Sequence, residues 1–259
     1  MTIAHKDRYV PGRDAQGWRL KLGVLGPSTN TTVQPDMEAM RPYGVTNHYS
    51  RIIVDDAQAV SDETFRMGTT LISDNTIDAV KGVLTAKPDY LVMGMSAITF
   101  YGGQKGAEAF QQRIRDVTDI GASIGATSVA EALRAYGGIK KVAFVSPYFP
   151  TANAEVTRFL GDNGFDVVRD TPLRCPSWTA IAQVQEPELR EVLKKLDGDD
   201  VDAIVQVGTN LSMVRLAAAA ELWLGKPVIA INTATYWHAL RACGIQDKIF
   251  GLGRLLEEF

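Results

Sequence analysis

Cysteine is scarce in this 259-residue chain, with Cys175 and Cys243 the only two. Two thiols build no disulfide framework, and neither stands in a CxxC or Cys/His ligand spacing. Histidine is as sparse: His5, His48 and His238 lie far apart and offer no run of metal ligands. No apolar run approaches the roughly 18 residues of a membrane span. The 27 basic residues are scattered among 30 acidic ones, for a net charge of −3, so no positive stripe for nucleic acid exists. The first 21 residues are polar, carry Lys6, Arg8 and Arg13, and lack the apolar core of a signal peptide, which makes a cytoplasmic location the expectation. The glycine spacing of a dinucleotide loop and the Gly-Lys-Ser/Thr of a Walker loop are both missing. These absences leave chemistry on a small molecule, with no metal, cofactor, nucleic acid or membrane as partner.

Apolar, β-branched runs alternate with helical stretches throughout. Buried parallel strands are expected at 22–25, 90–93, 142–145, 203–207 and 228–231, with strands nearer an edge at 51–54 and 165–168. Helices are expected at 62–86, 105–120, 128–136, 152–163, 186–196, 212–224 and 236–243. Such alternation defines an α/β protein with mostly parallel sheets flanked by helices. The pattern also repeats. Gly26-Pro27-Ser28-Thr29-Asn30 and Gly94-Met95-Ser96 in the first half answer Ser146-Pro147-Tyr148 and Gly208-Thr209-Asn210 in the second. Pro27 to Gly94 spans 67 positions and Pro147 to Gly208 spans 61. Two pseudo-symmetric lobes are therefore expected, 20–138 and 139–259, with the active site in the cleft between them. The tail at 249–256 is expected to pack back, and the chain to exchange between lobes near its C-terminus.

Each strand end carries groups suited to a carboxylate. Pro27, Ser28, Thr29 and Asn30 follow a buried strand with hydroxyls, an amide and backbone N–H groups, so several neutral donors converge on an anion. The competing reading is a turn followed by a helix N-cap from Thr31 or Thr32, and both can hold together. Gly94 with Met95 and Ser96, and Gly208 with Thr209 and Asn210, let a ligand approach the backbone. Tyr148 adds a phenol able to donate to an oxyanion. Arg51 is placed to pair with a substrate carboxylate or with Asp55. His48 and His238 read as structural, and Cys175 and Cys243 as bystanders, Cys175 lying away from every strand-end cluster. Apolar faces such as 216–220 permit a homo-oligomer.

At Gly26-Pro27-Ser28-Thr29-Asn30-Thr31 the chain resembles the aspartate/glutamate/hydantoin racemase superfamily, in its maleate isomerase and arylmalonate decarboxylase branches. The resemblance runs from about residue 20 to 256. It includes Met93-Gly94-Met95-Ser96 with Phe100-Tyr101, Tyr148, Gly208-Thr209-Asn210-Leu211, Gly225-Lys226-Pro227-Val228 and Gly251-Leu252-Gly253-Arg254-Leu255. It implies two lobes with the active site between them. The family's racemases use one cysteine on each lobe, its maleate isomerases use one as nucleophile, and its decarboxylase keeps only the second. Those positions fall on Gly94, give or take one residue, and on Gly208, so both thiols are missing here.

The resemblance then implies a cofactor-free enzyme on a small carboxylate or dicarboxylate. Tyr148, Ser96 and Asn30 would be catalytic, and Pro27, Ser28, Thr29, Gly94, Met95, Gly208, Thr209 and Asn210 would bind substrate. Two alternatives stand beside it. One is a hydrolase of a small amide or imide using water in the vacated thiol space, with Asp36, His48 or His238 as base. The other is a carboxylate-binding protein without catalysis.

Overall fold

The computed structural model describes residues 14–259. Lys6, Arg8, Arg13 and His5 lie outside the described residues. Strand β1 (Leu20–Pro27) is almost wholly buried, as a strand covered on both faces must be. It pairs in parallel with β2 (Val45–Ile52) on one side and β3 (Tyr90–Met93) on the other, and β4 (Ala122–Ser123) completes a sheet of order β2-β1-β3-β4. The second sheet repeats the plan with β5 (Lys141–Ser146), β6 (Asp166–Pro172), β7 (Ala203–Gln206) and β8 (Val228–Ala230) in the order β6-β5-β7-β8. The repeat legible in the sequence is thus a repeat of topology.

Parallel strands need crossovers, and helices supply them. The first sheet is wound by α1 (Val33–Ala39), α2 (Asp62–Leu84), α3 (Ala97–Phe100), α4 (Gly103–Arg115) and α5 (Gly125–Tyr136). The second is wound by α6 (Pro150–Asp162), α7 (Glu186–Leu196) and α8 (Val214–Leu224), and the chain ends in α9 (Ile231–Ala242) and α10 (Arg254–Glu258). Ser61 and Thr64 form a capping box that starts α2 where the sequence placed it.

Three expectations need correction. The β2 strand spans Val45–Ile52 rather than 51–54, because polar Asn47, His48 and Tyr49 sit on an edge strand where side chains stay half-buried. Neither the seven-residue α1 nor the two-residue β4 was foreseen, each being too short to show a period. Helix α9 begins at Ile231, directly after β8, so Asn232 and Thr233 occupy a first helical turn instead of a loop. On α8, Leu216, Ala217 and Ala220 are buried within the protomer, Ala218 is half-buried and Ala219 is exposed.

Helix α9 leaves the second sheet and packs against α5, α1, β3 and β4 of the first. It is enclosed along most of its length, so its polar residues must find partners. Thr235 Oγ1 donates to Ile231 O at 2.7 Å, and Tyr236 Oη to Asn47 Oδ1 at 3.0 Å. The tail packs back through buried Leu252, Leu255 and Leu256, and Arg241 Nε holds Phe259 O at 2.7 Å. No described helix is long and apolar enough to cross a membrane.

Candidate active site

Register brings the strand ends together in pairs. Leu25 stands beside Met93, and Gly94 N–H reaches one residue past the ladder to Leu25 O at 2.6 Å. In the second sheet Val145 stands beside Gln206, and Val207 N–H donates to Val145 O at 2.9 Å. The loops leaving these four ends meet between the sheets. Asn30 Nδ2 donates to Thr209 Oγ1 at 3.1 Å, and Thr209 Oγ1 donates to Gly94 O at 2.9 Å. Thr31 N–H donates to Asn210 Oδ1 at 3.0 Å, and Thr32 Oγ1 to Asn210 O at 2.9 Å. The second lobe's loop is therefore tied to the first by neutral bonds alone.

A cavity of about 40 Å³ lies where they meet. That is room for about three or four waters at roughly 10–15 Å³ each. Pro27, Thr29, Asn30, Met95, Ser96, Tyr148, Gly208, Thr209 and Asn210, all expected at the site, border it. Ser28 does not. Its hydroxyl donates to Val54 O at 2.9 Å and accepts from Val54 N–H at 3.0 Å, which turns it toward the segment after β2. Gly94 does not border the cavity either. A β-carbon built there would lie 2.7 Å from Val33 Cγ1 and 2.9 Å from Leu25 O, so the residue packs under α1.

Across the cavity Ser96 Oγ and Tyr148 Oη meet at 2.7 Å, one from each lobe and both buried. Tyr148 is held from behind by its N–H on Ser146 Oγ at 3.1 Å and by its ring on Phe65, 5.4 Å between centroids. Burial pushes its phenol pKa well above the ordinary value, against a smaller lowering by Ser96. Tyr148 is thus a neutral hydrogen-bond donor at physiological pH. Among the described residues the backbone N–H groups of Met95, Ser96, Thr209 and Asn210 have no protein acceptor. Asn30 Oδ1 accepts from Thr32 and Val33 N–H at 3.0 and 2.9 Å, so Asn30 closes the turn into α1, while the N-cap residue Thr32 makes no side-chain cap bond and neither it nor Thr31 is the cap expected from the sequence.

Sequence reasoning missed the apolar wall of Ile72, Ala97, Trp178 and Ile181. Ile72 comes from the inner face of α2. Trp178 and Ile181 come from the long connection between β6 and α7, held down by Ala59 N–H on Pro176 O at 2.8 Å. A tryptophan in a long loop was the available signal. The same connection corrects the placement of Cys175, whose N–H donates to Pro147 O at 3.0 Å beside a strand end. Its thiol still does not border the cavity, and burial pushes it up to about 11, with Glu188 adding to the rise. Cys243, pushed up to about 11 chiefly by burial, lies away from the cavity as well.

No charged side chain borders the cavity among the described residues. Arg51 pairs with neither a substrate position nor Asp55. Its guanidinium donates to Asn30 O and Gln34 Oε1, each at 2.9 Å. His48 contacts Thr46 Oγ1 at 3.0 Å, and His238 Nδ1 contacts Ser123 Oγ at 2.6 Å; neither reaches the site. Asp36 comes nearer. Asn232 Nδ2 donates to Asp36 Oδ2 at 2.8 Å and to Thr209 O at 2.9 Å. Burial pushes the Asp36 carboxyl up to about 6, against lowering by Asn232 and Arg215.

Two like-wound α/β sheets thus meet at their strand ends around a neutral, donor-bordered cavity. The arylmalonate decarboxylase family model matches residues 58–256, and the chain belongs to that family. It is 27% identical over 257 residues to the maleate isomerase of Pseudomonas putida, covering 91% of this chain and 96% of that protein. It is also 27% identical over 170 residues to the arylmalonate decarboxylase of Bordetella bronchiseptica, covering 64% of this chain and 70% of that protein. Among solved structures it resembles a cysteine-to-serine variant of Nocardia farcinica maleate cis-trans isomerase with a covalently bound succinylcysteine intermediate. The TM-score is 0.83 at 22% identity, over 93% of this chain and 99% of that one. Against a crystal structure of arylmalonate decarboxylase it is 0.72 at 20% identity, over 91% and 98%.

Proposed function

We propose that this chain is a cofactor-free lyase or isomerase acting on a small carboxylate or dicarboxylate through an oxyanion-stabilised intermediate, without a catalytic thiol. The observation that carries the reading is the Ser96–Tyr148 contact at 2.7 Å in a cavity that neither cysteine borders. The maleate isomerase and arylmalonate decarboxylase relatives support the reaction class. Gly94 and Gly208 stand where the family resemblance puts the acid/base cysteines.

For a malonate-type substrate the chemistry balances as follows. The bond to the departing carboxylate breaks, carbon dioxide leaves, and the electron pair enters the remaining carboxylate as an enediolate. Backbone N–H groups at Met95, Ser96, Thr209 and Asn210 and the Tyr148 O–H hold the developing charge, a role typically contributing 10²–10³-fold per donor (about 3–4 kcal/mol). The α-carbon of an enediolate is a far stronger base than a phenolate. Tyr148 can therefore supply the proton despite its raised pKa, and solvent returns it through Ser96. The apolar wall of Ile72, Trp178 and Ile181 would seat the substrate's uncharged part.

The test is a Cys175→Ala/Cys243→Ala variant beside the native protein, given aryl- and alkylmalonates and maleate in heavy water. Turnover of one substrate at the native rate in the thiol-free variant, followed by NMR, is the expected result. Loss of turnover on removing the thiols would overturn the thiol-free reading. Binding by thermal shift with no turnover of any substrate would leave a carboxylate-binding protein.

A further inference from the structure

Gly68 stands in the interior of the 23-residue α2, where glycine is among the least favourable residues. Its neighbour supplies the reason. A β-carbon built on Gly68 would lie 2.6 Å from Cζ2 of Trp178, so any side chain there would displace the indole. Phe65 and Ile72 flank this seat, one turn to either side on the same face of α2. Phe65 packs its ring on Trp178 at 5.1 Å between centroids, and Ile72 borders the cavity as Trp178 does. The backbone that carries the indole is held from both lobes. Trp178 O accepts from Asn210 Nδ2 at 2.8 Å, and the Asp56 carboxylate accepts from Thr179 N–H at 3.0 Å and Thr179 Oγ1 at 2.5 Å. With ring and backbone both anchored, Trp178 is a fixed wall of the cavity.

The space this wall leaves is small. The cavity measures about 40 Å³. An apolar cavity that takes up benzene measures about 150 Å³. An aromatic ring therefore has no room while the indole is in place. We propose that Trp178, seated on Gly68, is the residue that limits this site to carboxylates bearing a small aliphatic group and excludes aryl-substituted ones. Within the apolar wall of Ile72, Ala97, Trp178 and Ile181, only the indole is larger than a phenyl ring. Its removal alone vacates the room that a ring needs. The inference rests on reading the cavity as a carboxylate site, and on nothing about the reaction performed there.

Isothermal titration with methylmalonate and phenylmalonate tests it. The native protein should bind methylmalonate tighter by about 10²-fold or more, as a clash against an anchored wall requires. Trp178→Ala and the milder Trp178→Leu should each gain about tenfold or more in phenylmalonate affinity, and the alanine variant should reverse the preference. Circular dichroism confirms that each variant is folded, and the native comparison stands by itself should either fail to fold. A native protein that binds phenylmalonate as tightly as methylmalonate overturns the proposal and leaves the carboxylate reading intact. A native preference that neither variant moves overturns it too, by placing the limit on another residue. Binding of neither probe removes the carboxylate reading, and this inference with it.

Discussion

A β-carbon built on Gly208 would lie 2.3 Å from Cδ of Pro147, with the Gly208 backbone at φ +107°. Position and conformation both demand glycine there. The neighbouring ring comes from the end of the adjacent strand, and Gln206 Nε2 holds Gly208 O at 2.7 Å, so the loop has no slack. Gly208→Ala should lose about 1–3 kcal/mol of stability by urea denaturation. Gly208→Cys should be destabilised at least as much and gain no thiol-dependent turnover. A fully stable Gly208→Cys would show that Pro147 moves freely.

Asp36 makes stability depend on pH in an unusual direction for a carboxylate. Its folded pKa is about 6 against an ordinary 3.8, because burial penalises the charged form more than Asn232 and Arg215 favour it. The unfolded chain ionises first as pH rises. The stabilising contribution is therefore whole below the unfolded value and lost as pH climbs through the folded one, a cost of about 3 kcal/mol by neutral pH. Asp36→Asn keeps an acceptor for Asn232 and has nothing to ionise. It should be more stable than the native protein at pH 7.5 and lose that advantage at pH 4. An equal difference at both pH values would remove this assignment.

Asn210 bridges three segments, accepting from Thr31 N–H at 3.0 Å and donating to Trp178 O at 2.8 Å. Asn210→Asp keeps the acceptor, removes the donor and puts a negative charge beside a cavity that no charged side chain borders among the described residues. Affinity for a carboxylate should fall by about 10²-fold, the penalty for facing like charges without compensation. Isothermal titration with any ligand found by thermal shift checks it, and undiminished affinity would place the carboxylate elsewhere.

Tyr148→Phe preserves the ring packing on Phe65 and removes one hydroxyl from the pair with Ser96. We expect kcat to fall about 10²–10³-fold with little change in KM, as for a donor used mainly in the transition state. Melting temperature should fall only slightly. Unchanged kcat would take the phenol out of the chemistry.

The alternation of apolar strands and helices was legible because a parallel strand buried on both faces reads as an unbroken apolar run. The glycine-marked strand ends were legible because carboxyl ends in such sheets gather at one edge. Residues such as Asn30, Ser96, Tyr148 and Thr209 followed from those two regularities. Ser28 misled because a hydroxyl at a strand end has two directions to turn, and its choice of Val54 is made by the path of the chain after β2. Trp178 and Ile181 reach the cavity through a connection whose course no local pattern encodes. Asn232 joins Asp36 to Thr209 only because α9 crosses to the first sheet. The chain alone thus determined the elements and the chemistry offered at each strand end, since both depend on near neighbours. Which groups face one another across the lobes depended on long-range packing, and only the tertiary structure decided it.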